Sequence, residues 1–223
     1  KQKNVDLVLE KFKMTEQFKQ FHNIINSGIN NDSRTIIAVD NFYTNPDAVR
    51  DFSINNFNFE ASQWHKGQRS HEKLIVDGTK EKFENILGRK VSNWDYNYNG
   101  VFQFCTSEDK LVYHCDTQQY AAVVFLTPNA PPESGTNFYR SKLTGKTRFE
   151  KWENNGSREY DITFQNGNYY DKTKLELIDK IGNVYNRLAI WDARTIHAAS
   201  EYFGDTKLNS RYFHMFFFDC DNP

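Results

Sequence analysis

Hydrophobic residues follow two different spacings along the chain. Near the N-terminus they recur every three or four positions, the period of an amphipathic helix, at Val5, Leu9, Phe12, Met14, Phe18, Phe21 and Ile25. From about residue 100 onward, short runs rich in aromatic and β-branched residues alternate with turn-forming residues, which is typical of strands. These runs are GVFQFC, YAAVVFLT, TNFYRSK, NRLAIWD, TIHAAS and SRYFHMFFFD. Helices followed by many short strands predict an α+β fold, mainly β, with a sandwich or barrel as its main body.

The part of the chain between these regions mixes both patterns. The run TIIAVDNFY predicts a strand, and NPDAVRDFS predicts a helix in which Asn45 is the N-cap and Pro46 the first helical residue. The run TKEKFENILG predicts a second helix, which ends at Gly88.

Three further segments have less distinct patterns. The run KLELIDKIGNVY fits either a helix or a hairpin turning at Gly182-Asn183, and the surrounding strands favour the hairpin. The polar stretch QWHKGQRSHEK, which contains His65 and His71, predicts an exposed loop. Residues 150–171 are also polar and predict a loop or small hairpin.

Composition and charge exclude several classes of protein. A chain of 223 residues favours one domain, and a net charge of −1 with a pI near 6.7 gives no reason to expect nucleic acid or a membrane as the partner. No apolar run approaches the roughly 20 residues that span a bilayer, and no secretory signal is visible. The odd number of cysteines, three, fits a reducing compartment, so we expect a cytoplasmic protein.

The segment KLVYHCDTQQY contains a candidate metal-binding pair. On a strand, His114 and Asp116 point to the same face, whereas Cys115 points to the other face and fits a packed thiol. A second histidine would complete the two-histidine, one-carboxylate arrangement that suits non-haem Fe(II). His197, in IWDARTIHAAS, is the most favourable of the other five histidines. The alternative is a hydrogen-bonded His and Asp at a strand end.

The segment NSRYFHMFFFD contains a cation on an apolar face. Arg211 shares one face of the predicted strand with Phe213, Met215 and Phe217, and His214 lies on the opposite face. Burying a guanidinium is costly without an anionic partner, and its planar fork matches a carboxylate. The partner is either the carboxylate of a bound dicarboxylic acid or an internal Asp or Glu.

Four of these segments together resemble a known family. The runs YHCDTQQYAAVVFLTP, SGTNFYRSKLTG, NRLAIWDARTIHAAS and SRYFHMFFFD are similar to Fe(II)- and 2-oxoglutarate-dependent oxygenases. The resemblance is greatest to the bacterial and phage prolyl-4-hydroxylase-like group. The motifs follow the family order across residues 100–219, and NFYTNPDAVRDFS resembles the family's entry segment.

The resemblance implies a fold and a set of site residues. The family fold is a double-stranded β-helix, a cupin-like jelly-roll barrel with N-terminal supporting helices. It implies one domain over residues 1–223, with helix-rich support in 1–95 and the β-helix core in 96–219. His114, Asp116 and His197 correspond to the iron ligands, and Arg211 corresponds to the residue that binds the distal carboxylate of 2-oxoglutarate.

Two departures from the family pattern concern the co-substrate. Phe213 stands where many members have Ser or Thr, and VFQFC stands where many have a Tyr. Gln103 and Tyr139 are the two candidates to replace that tyrosine.

The resemblance also implies an activity. The enzyme would hydroxylate an unactivated C–H bond and release succinate and CO2. It would require Fe(II), 2-oxoglutarate and O2, with ascorbate as a supporting reductant. The carboxylate of Asp116 favours hydroxylation over halogenation. The substrate would be a prolyl or other peptide residue or a small molecule. The protein itself would be bacterial or phage-encoded and located in the host cytoplasm, and its oligomeric state is unknown. Two alternatives are a catalytically silent jelly-roll binding or phage structural protein, and a zinc hydrolase with the same three ligands, which would have no use for Arg211.

Overall fold

The computed structural model describes residues 35–151, 153, 156–164 and 167–221. The helical pattern from Val5 to Ile25 therefore lies outside the described residues. The described elements are β1 (Ile36–Val39), α1 (Pro46–Asn56), β2 (Phe59–Ser62), β3 (His65–Lys73), α2 (Thr79–Leu87), β4 (Val91–Asn93), β5 (Val101–Cys105), β6 (Tyr120–Phe125), β7 (Thr136–Ser141), α3 (Arg158–Phe164), β8 (Leu175–Ile181), β9 (Leu188–Asp192), β10 (His197–Ala199) and β11 (Arg211–Cys220).

The strands of the described residues form two antiparallel sheets. The major sheet has eight strands in the order β1-β9-β6-β11-β5-β3-β2, with β4 pairing to the end of β11. The minor sheet has three strands in the order β10-β7-β8. The long strand β11 lies between β6 and β5, with Phe213 opposite Phe125 on one side and Gln103 on the other.

Successive side chains along the strands of the major sheet point to opposite faces, so this sheet has one apolar layer on each face. Val123, Phe213 and Met215 pack with Phe138 and Ile181 of the minor sheet, so this layer lies between the two sheets. The residues in the alternate positions face the other way and pack with residues of α1 and α2. This second layer contains Phe42, Ile54, Phe83, Phe102, Tyr212 and Phe216.

Most of the predicted elements are confirmed. All six apolar runs after residue 100 form strands. Asn45 caps α1, since its side-chain oxygen accepts a hydrogen bond from the Ala48 backbone N–H at 3.0 Å. Gly88 ends α2 in the left-handed conformation, with a φ of 65°.

Three local predictions are wrong. The run after Lys174 is a strand, but Leu175–Ile181 pairs with β7 across the minor sheet instead of forming a hairpin at Gly182-Asn183. The polar stretch that contains His65 is strand β3, because its backbone pairs with β2 and β5. Residues 150–171 contain helix α3, whose Tyr160 and Phe164 pack on Phe149.

One result bears on membrane insertion. Within the described part of the chain, no helix is long and apolar enough to cross a bilayer.

His214 occupies the helix-facing layer, as the alternation along β11 predicts. Its ring is fully buried, stacks on Phe102 with 3.9 Å between ring centroids, and bonds through Nδ1 to the Tyr43 hydroxyl at 2.7 Å. Burial lowers the pKa of His214 from its ordinary value of 6.5 to about 3. The folded protein therefore holds this histidine neutral, away from the inter-sheet layer.

The depressed pKa of His214 makes stability depend on pH. An unfolded chain takes up this proton below pH 6.5 and the folded chain does not, so protonation favours unfolding. We expect stability from this source to be complete above pH 6.5 and to decline as the pH falls toward 3, by about 1.4 kcal/mol per pH unit at most. Urea unfolding of the wild type and His214→Gln from pH 7 to pH 4.5 should give a shallower decline for the variant. His71→Gln, at an exposed histidine, is the matched control, and equal slopes for wild type and His214→Gln would contradict the prediction.

Candidate metal centre

Two side chains of one short segment, His114 and Asp116, meet His197 from a distant part of the sequence at one edge of the space between the sheets. One ligand atom from each of His114, Asp116 and His197 lies within 4.8 Å of the other two. Asp116 lies between the imidazoles, with Oδ1 3.7 Å from His114 Nε2 and Oδ2 3.4 Å from His197 Nε2. A cation held at about 2.1 Å from each donor needs neighbouring donors about 3.0 to 3.4 Å apart, so small side-chain movements suffice to bind one.

Backbone pairing brings these residues together. The N–H of His114 donates to the carbonyl of His197 at 3.0 Å, and the N–H of His197 donates back at 2.8 Å. The N–H of Asp116 donates to the Ala193 carbonyl at 2.8 Å. The segment that precedes β6 is therefore fixed directly beside β10, and the arrangement does not depend on side-chain contacts.

Each histidine of the site uses Nδ1 for a hydrogen bond to a backbone carbonyl, which leaves Nε2 available to bind a metal. His114 Nδ1 lies 3.1 Å from the Val112 carbonyl, and His197 Nδ1 lies 2.8 Å from the Thr195 carbonyl. A carbonyl only accepts, so each Nδ1 carries the proton and each Nε2 presents a lone pair toward Asp116. Burial, reinforced by the neighbouring His114, lowers the pKa of His197 to about 4, so this imidazole is neutral as a metal ligand must be.

The turn before His197 is fixed by a group of charged residues. The backbone N–H and Nε of Arg194 donate to Asp192 Oδ1 at 3.1 Å and 3.0 Å. Arg148 Nη1 lies 3.3 Å from the other oxygen of Asp192. Asp192 therefore holds the turn and is not one of the three converging groups.

The three groups line a cavity of about 610 Å³ between the two sheets. Its apolar wall is the inner face of the major sheet, and the residues of that wall include Ala121, Val123, Trp191, Phe213, Met215 and Phe217. Arg211 lines the same cavity. The alternation along β11 thus places Arg211, Phe213, Met215 and Phe217 on one face, as the sequence predicts.

Arg211 is a buried cation, 4% exposed, and it has no carboxylate partner among the described residues. Its Nε donates to the Ser134 carbonyl at 3.0 Å, and Nη2 lies 3.2 Å from the Gly135 carbonyl and 3.3 Å from Thr136 Oγ1. Its guanidinium also lies over the ring of Phe213, 4.6 Å from the centroid. Burial lowers the pKa of Arg211. The internal ion pair considered as an alternative is thus not found in the described part of the chain.

Two other residues beside Arg211 were not found from the sequence. Tyr202 lines the cavity and shares a side-chain hydrogen bond with the buried Cys105, close to Arg211. Thr136 lines the cavity and contacts Arg211 directly. Tyr202 lies in a loop after β10 that has no distinctive pattern, so no sequence signal identifies it.

The two candidates for the missing tyrosine have different surroundings. Gln103 lines the cavity, but its Oε1 accepts from Arg69 Nε and its Nε2 donates to the Lys66 carbonyl, both at 2.9 Å. Tyr139 is buried on the other side of the minor sheet, edge to face with Tyr113 at 5.3 Å. It is not among the described residues that line the cavity. Cys115 belongs to the same apolar cluster as Tyr139, and burial raises the pKa of its thiol, in keeping with a packed side chain.

The fold is a mainly β jelly roll whose sheets do not close into a barrel, and comparison with solved structures confirms this class. HygX from Streptomyces hygroscopicus, with nickel, 2-oxoglutarate and hygromycin B bound, superposes with a TM-score of 0.53 at 10% sequence identity, over 84% of each chain. HygX with nickel and 2-oxoglutarate alone gives a TM-score of 0.52 at the same identity and coverage.

Sequence comparisons add little about function. A family model described as a family of unknown function (DUF6445) matches residues 102–201, a range that contains all three converging side chains. The sequence has no significant match among curated proteins. The prolyl-4-hydroxylase-like subgroup is thus a sequence-based expectation, and the jelly-roll fold is the part that the solved structures support.

Proposed function

We propose that this protein is a non-haem Fe(II)- and 2-oxoglutarate-dependent dioxygenase that hydroxylates an unactivated C–H bond. The observation that carries the proposal is one cavity that contains the His114, Asp116 and His197 donors and the Arg211 guanidinium, which has no carboxylate partner among the described residues. The likeness to a fold that holds nickel and 2-oxoglutarate in HygX supports it.

Each residue has a distinct task in this proposal. His114, Asp116 and His197 would hold the metal, which when loaded couples O2 activation to decarboxylation of 2-oxoglutarate into succinate and CO2. Arg211 binds the distal carboxylate of 2-oxoglutarate through its planar fork. Thr136 and Tyr202 lie beside Arg211 and offer hydroxyl groups to that carboxylate.

The protein's own groups also control protons and water. Nδ1 of each histidine keeps its proton and donates it to a backbone carbonyl, so that Nε2 is the atom that would bind the cation. Phe213, Met215 and Phe217 give the cavity an apolar wall that limits water near the reacting bond.

The competing functions explain the cavity less well. A zinc hydrolase can use the same three ligands, yet it leaves Arg211 without a role. A silent binding protein has no need for two imidazoles and a carboxylate whose donor atoms lie within 4.8 Å of one another. The substrate, a prolyl or other peptide residue or a small molecule, and the bacterial or phage setting are part of the proposal and follow from the resemblance alone. The cytoplasmic setting is also part of the proposal and follows from the three cysteines as well.

Succinate formation tests the proposed activity. The protein is incubated in air with Fe(II), ascorbate and 2-oxoglutarate, and succinate is measured with and without Fe(II) and with Zn(II) in its place. We expect slow succinate formation that requires iron even without a substrate. Absence of iron-dependent succinate together with absence of 2-oxoglutarate binding would overturn the proposal.

A further inference from the structure

The same cavity contains a second cationic group that the proposed co-substrate does not use. Lys66 and Arg69, both on β3, line the cavity. Arg69 Nε donates to Gln103 Oε1 at 2.9 Å, and its guanidinium lies 4.7 Å from the ring centroid of Tyr98. Among the described residues no carboxylate lies within 4.0 Å of the Arg69 guanidinium. Glu60, opposite Arg69 in the sheet, instead pairs with His71 at 2.8 Å.

A glycine kink brings Lys66 and Arg69 to one side of the strand. Residues three positions apart on a regular strand face opposite sides, yet both line the cavity. Gly67 between them has a φ of +62°, the left-handed conformation that glycine tolerates. A Cβ at Gly67 would lie 2.0 Å from the Phe104 carbonyl oxygen, so β3 can approach β5 this closely only with glycine here.

Gln103 links the two cationic residues. Its Oε1 accepts from Arg69, and its Nε2 donates to the Lys66 carbonyl at 2.9 Å. The oxygen of the Gln103 side-chain amide thus fixes the Arg69 guanidinium, and its nitrogen fixes the backbone carbonyl of Lys66. A guanidinium held in this way loses little conformational freedom when it binds an anion.

Charge balance leaves this pair without a counterion. Asp116 is the only acidic residue among the described residues that line the cavity. The charges of a divalent cation and of the dianionic 2-oxoglutarate would cancel each other, and the charges of Asp116 and Arg211 cancel as well. Lys66 and Arg69 then remain as two uncompensated positive charges in a partly enclosed space, where an anion is favoured.

Aromatic side chains surround these cations at the solvent side of the cavity. Trp64 is 81% exposed, and Tyr98 and Tyr170 are about half exposed, although all three line the cavity. Lys66 Nζ lies 5.2 Å from the Tyr170 ring centroid. Exposed aromatic rings of this kind offer flat apolar surfaces to a bound molecule.

We propose that the primary substrate carries an oxyanion, a carboxylate or a phosphate, that binds to Arg69 and Lys66 next to these aromatic rings. This inference rests on the proposed function, since only an oxygenase would bring a second molecule beside 2-oxoglutarate. It makes Arg69 and Lys66 determinants of substrate specificity, with Gln103 positioning Arg69.

Three matched probes test the inference: phenylacetate, phenyl phosphate and the neutral phenylacetamide. Binding of each to protein saturated with Ni(II) and 2-oxoglutarate is measured by ligand-observed NMR. We expect one of the two anions to bind at least tenfold more tightly than the amide, and the preferred anion identifies the group. Arg69→Gln should weaken its binding at least tenfold, Arg69→Lys should weaken it less, and Arg140→Gln, which removes a surface charge on the minor sheet, should not change it.

Several results would overturn the inference. One is equal binding of the acids and the amide, and another is binding to Arg69→Gln as tight as to wild type when thermal unfolding shows that the variant is folded. A loss of 2-oxoglutarate affinity in Arg69→Gln would assign Arg69 to the co-substrate instead. If Ni(II) and 2-oxoglutarate do not bind but phenylacetate or phenyl phosphate still binds through Arg69, the anion site stands and the proposed oxygenase activity falls.

Discussion

Asp116→Ala should lower the affinity for a divalent cation more than about a hundredfold, because removing groups that only orient metal ligands already costs 10- to 100-fold. The two imidazoles that remain supply no negative charge to the cation. Isothermal titration with Ni(II) measures the loss directly, and iron-dependent succinate formation should disappear with it.

The fold should survive this substitution. Asp116 has no side-chain hydrogen bond within the described residues, and its position is set by its backbone bond to Ala193. The thermal midpoint without metal should therefore change by only a few degrees. Asp179→Ala, at an exposed carboxylate of β8, is the matched control and should bind Ni(II) like the wild type. Unfolding of Asp116→Ala would instead assign Asp116 a structural role.

Arg211→Gln should weaken 2-oxoglutarate binding by about a hundredfold, since charge-assisted hydrogen bonds contribute about 1.5 to 3 kcal/mol each. Arg211→Lys keeps the charge but loses the planar fork, so we expect an intermediate loss. Calorimetry in the presence of Ni(II) gives the affinities.

Two measurements separate a binding role from a structural one. Metal affinity of Arg211→Gln should stay within a few-fold of wild type, because Arg211 is not among the three converging ligands. Arg140→Gln, which removes an exposed guanidinium, should bind 2-oxoglutarate normally. Unchanged 2-oxoglutarate affinity in a folded Arg211→Gln would exclude Arg211 from co-substrate binding.

The sequence predicts the centre of this molecule better than its edges. Continuous apolar runs identify β6, β9 and β11 as strands, because side-chain alternation sets one face of each against the helices and the other against the minor sheet, so that both faces are apolar. The same alternation assigns Arg211 and His214 correctly to opposite faces. Near the edge this signal fails, because β3 is stabilised by backbone pairing and its side chains are polar and mostly only partly buried.

Residues around the metal centre were predictable only where a motif exists. His114 and Asp116 are two positions apart, and His197 follows a recognisable turn, so their proximity could be anticipated. Tyr202 and Arg69 reach the cavity from segments without a recognisable motif, and only the three-dimensional arrangement reveals them. Gln103 illustrates the same limit, because its pairing with Arg69 depends on which strands are neighbours.

The reciprocal backbone bonds between His114 and His197 have a consequence for how the protein acquires its metal. These bonds join main-chain atoms and bring the donors together, so a cation need not assemble the polypeptide around itself. The protein can fold before it binds its metal. A chelator should therefore yield a folded apoprotein that can bind a metal ion again. Such a chain can exchange one metal for another during its lifetime without passing through the unfolded state.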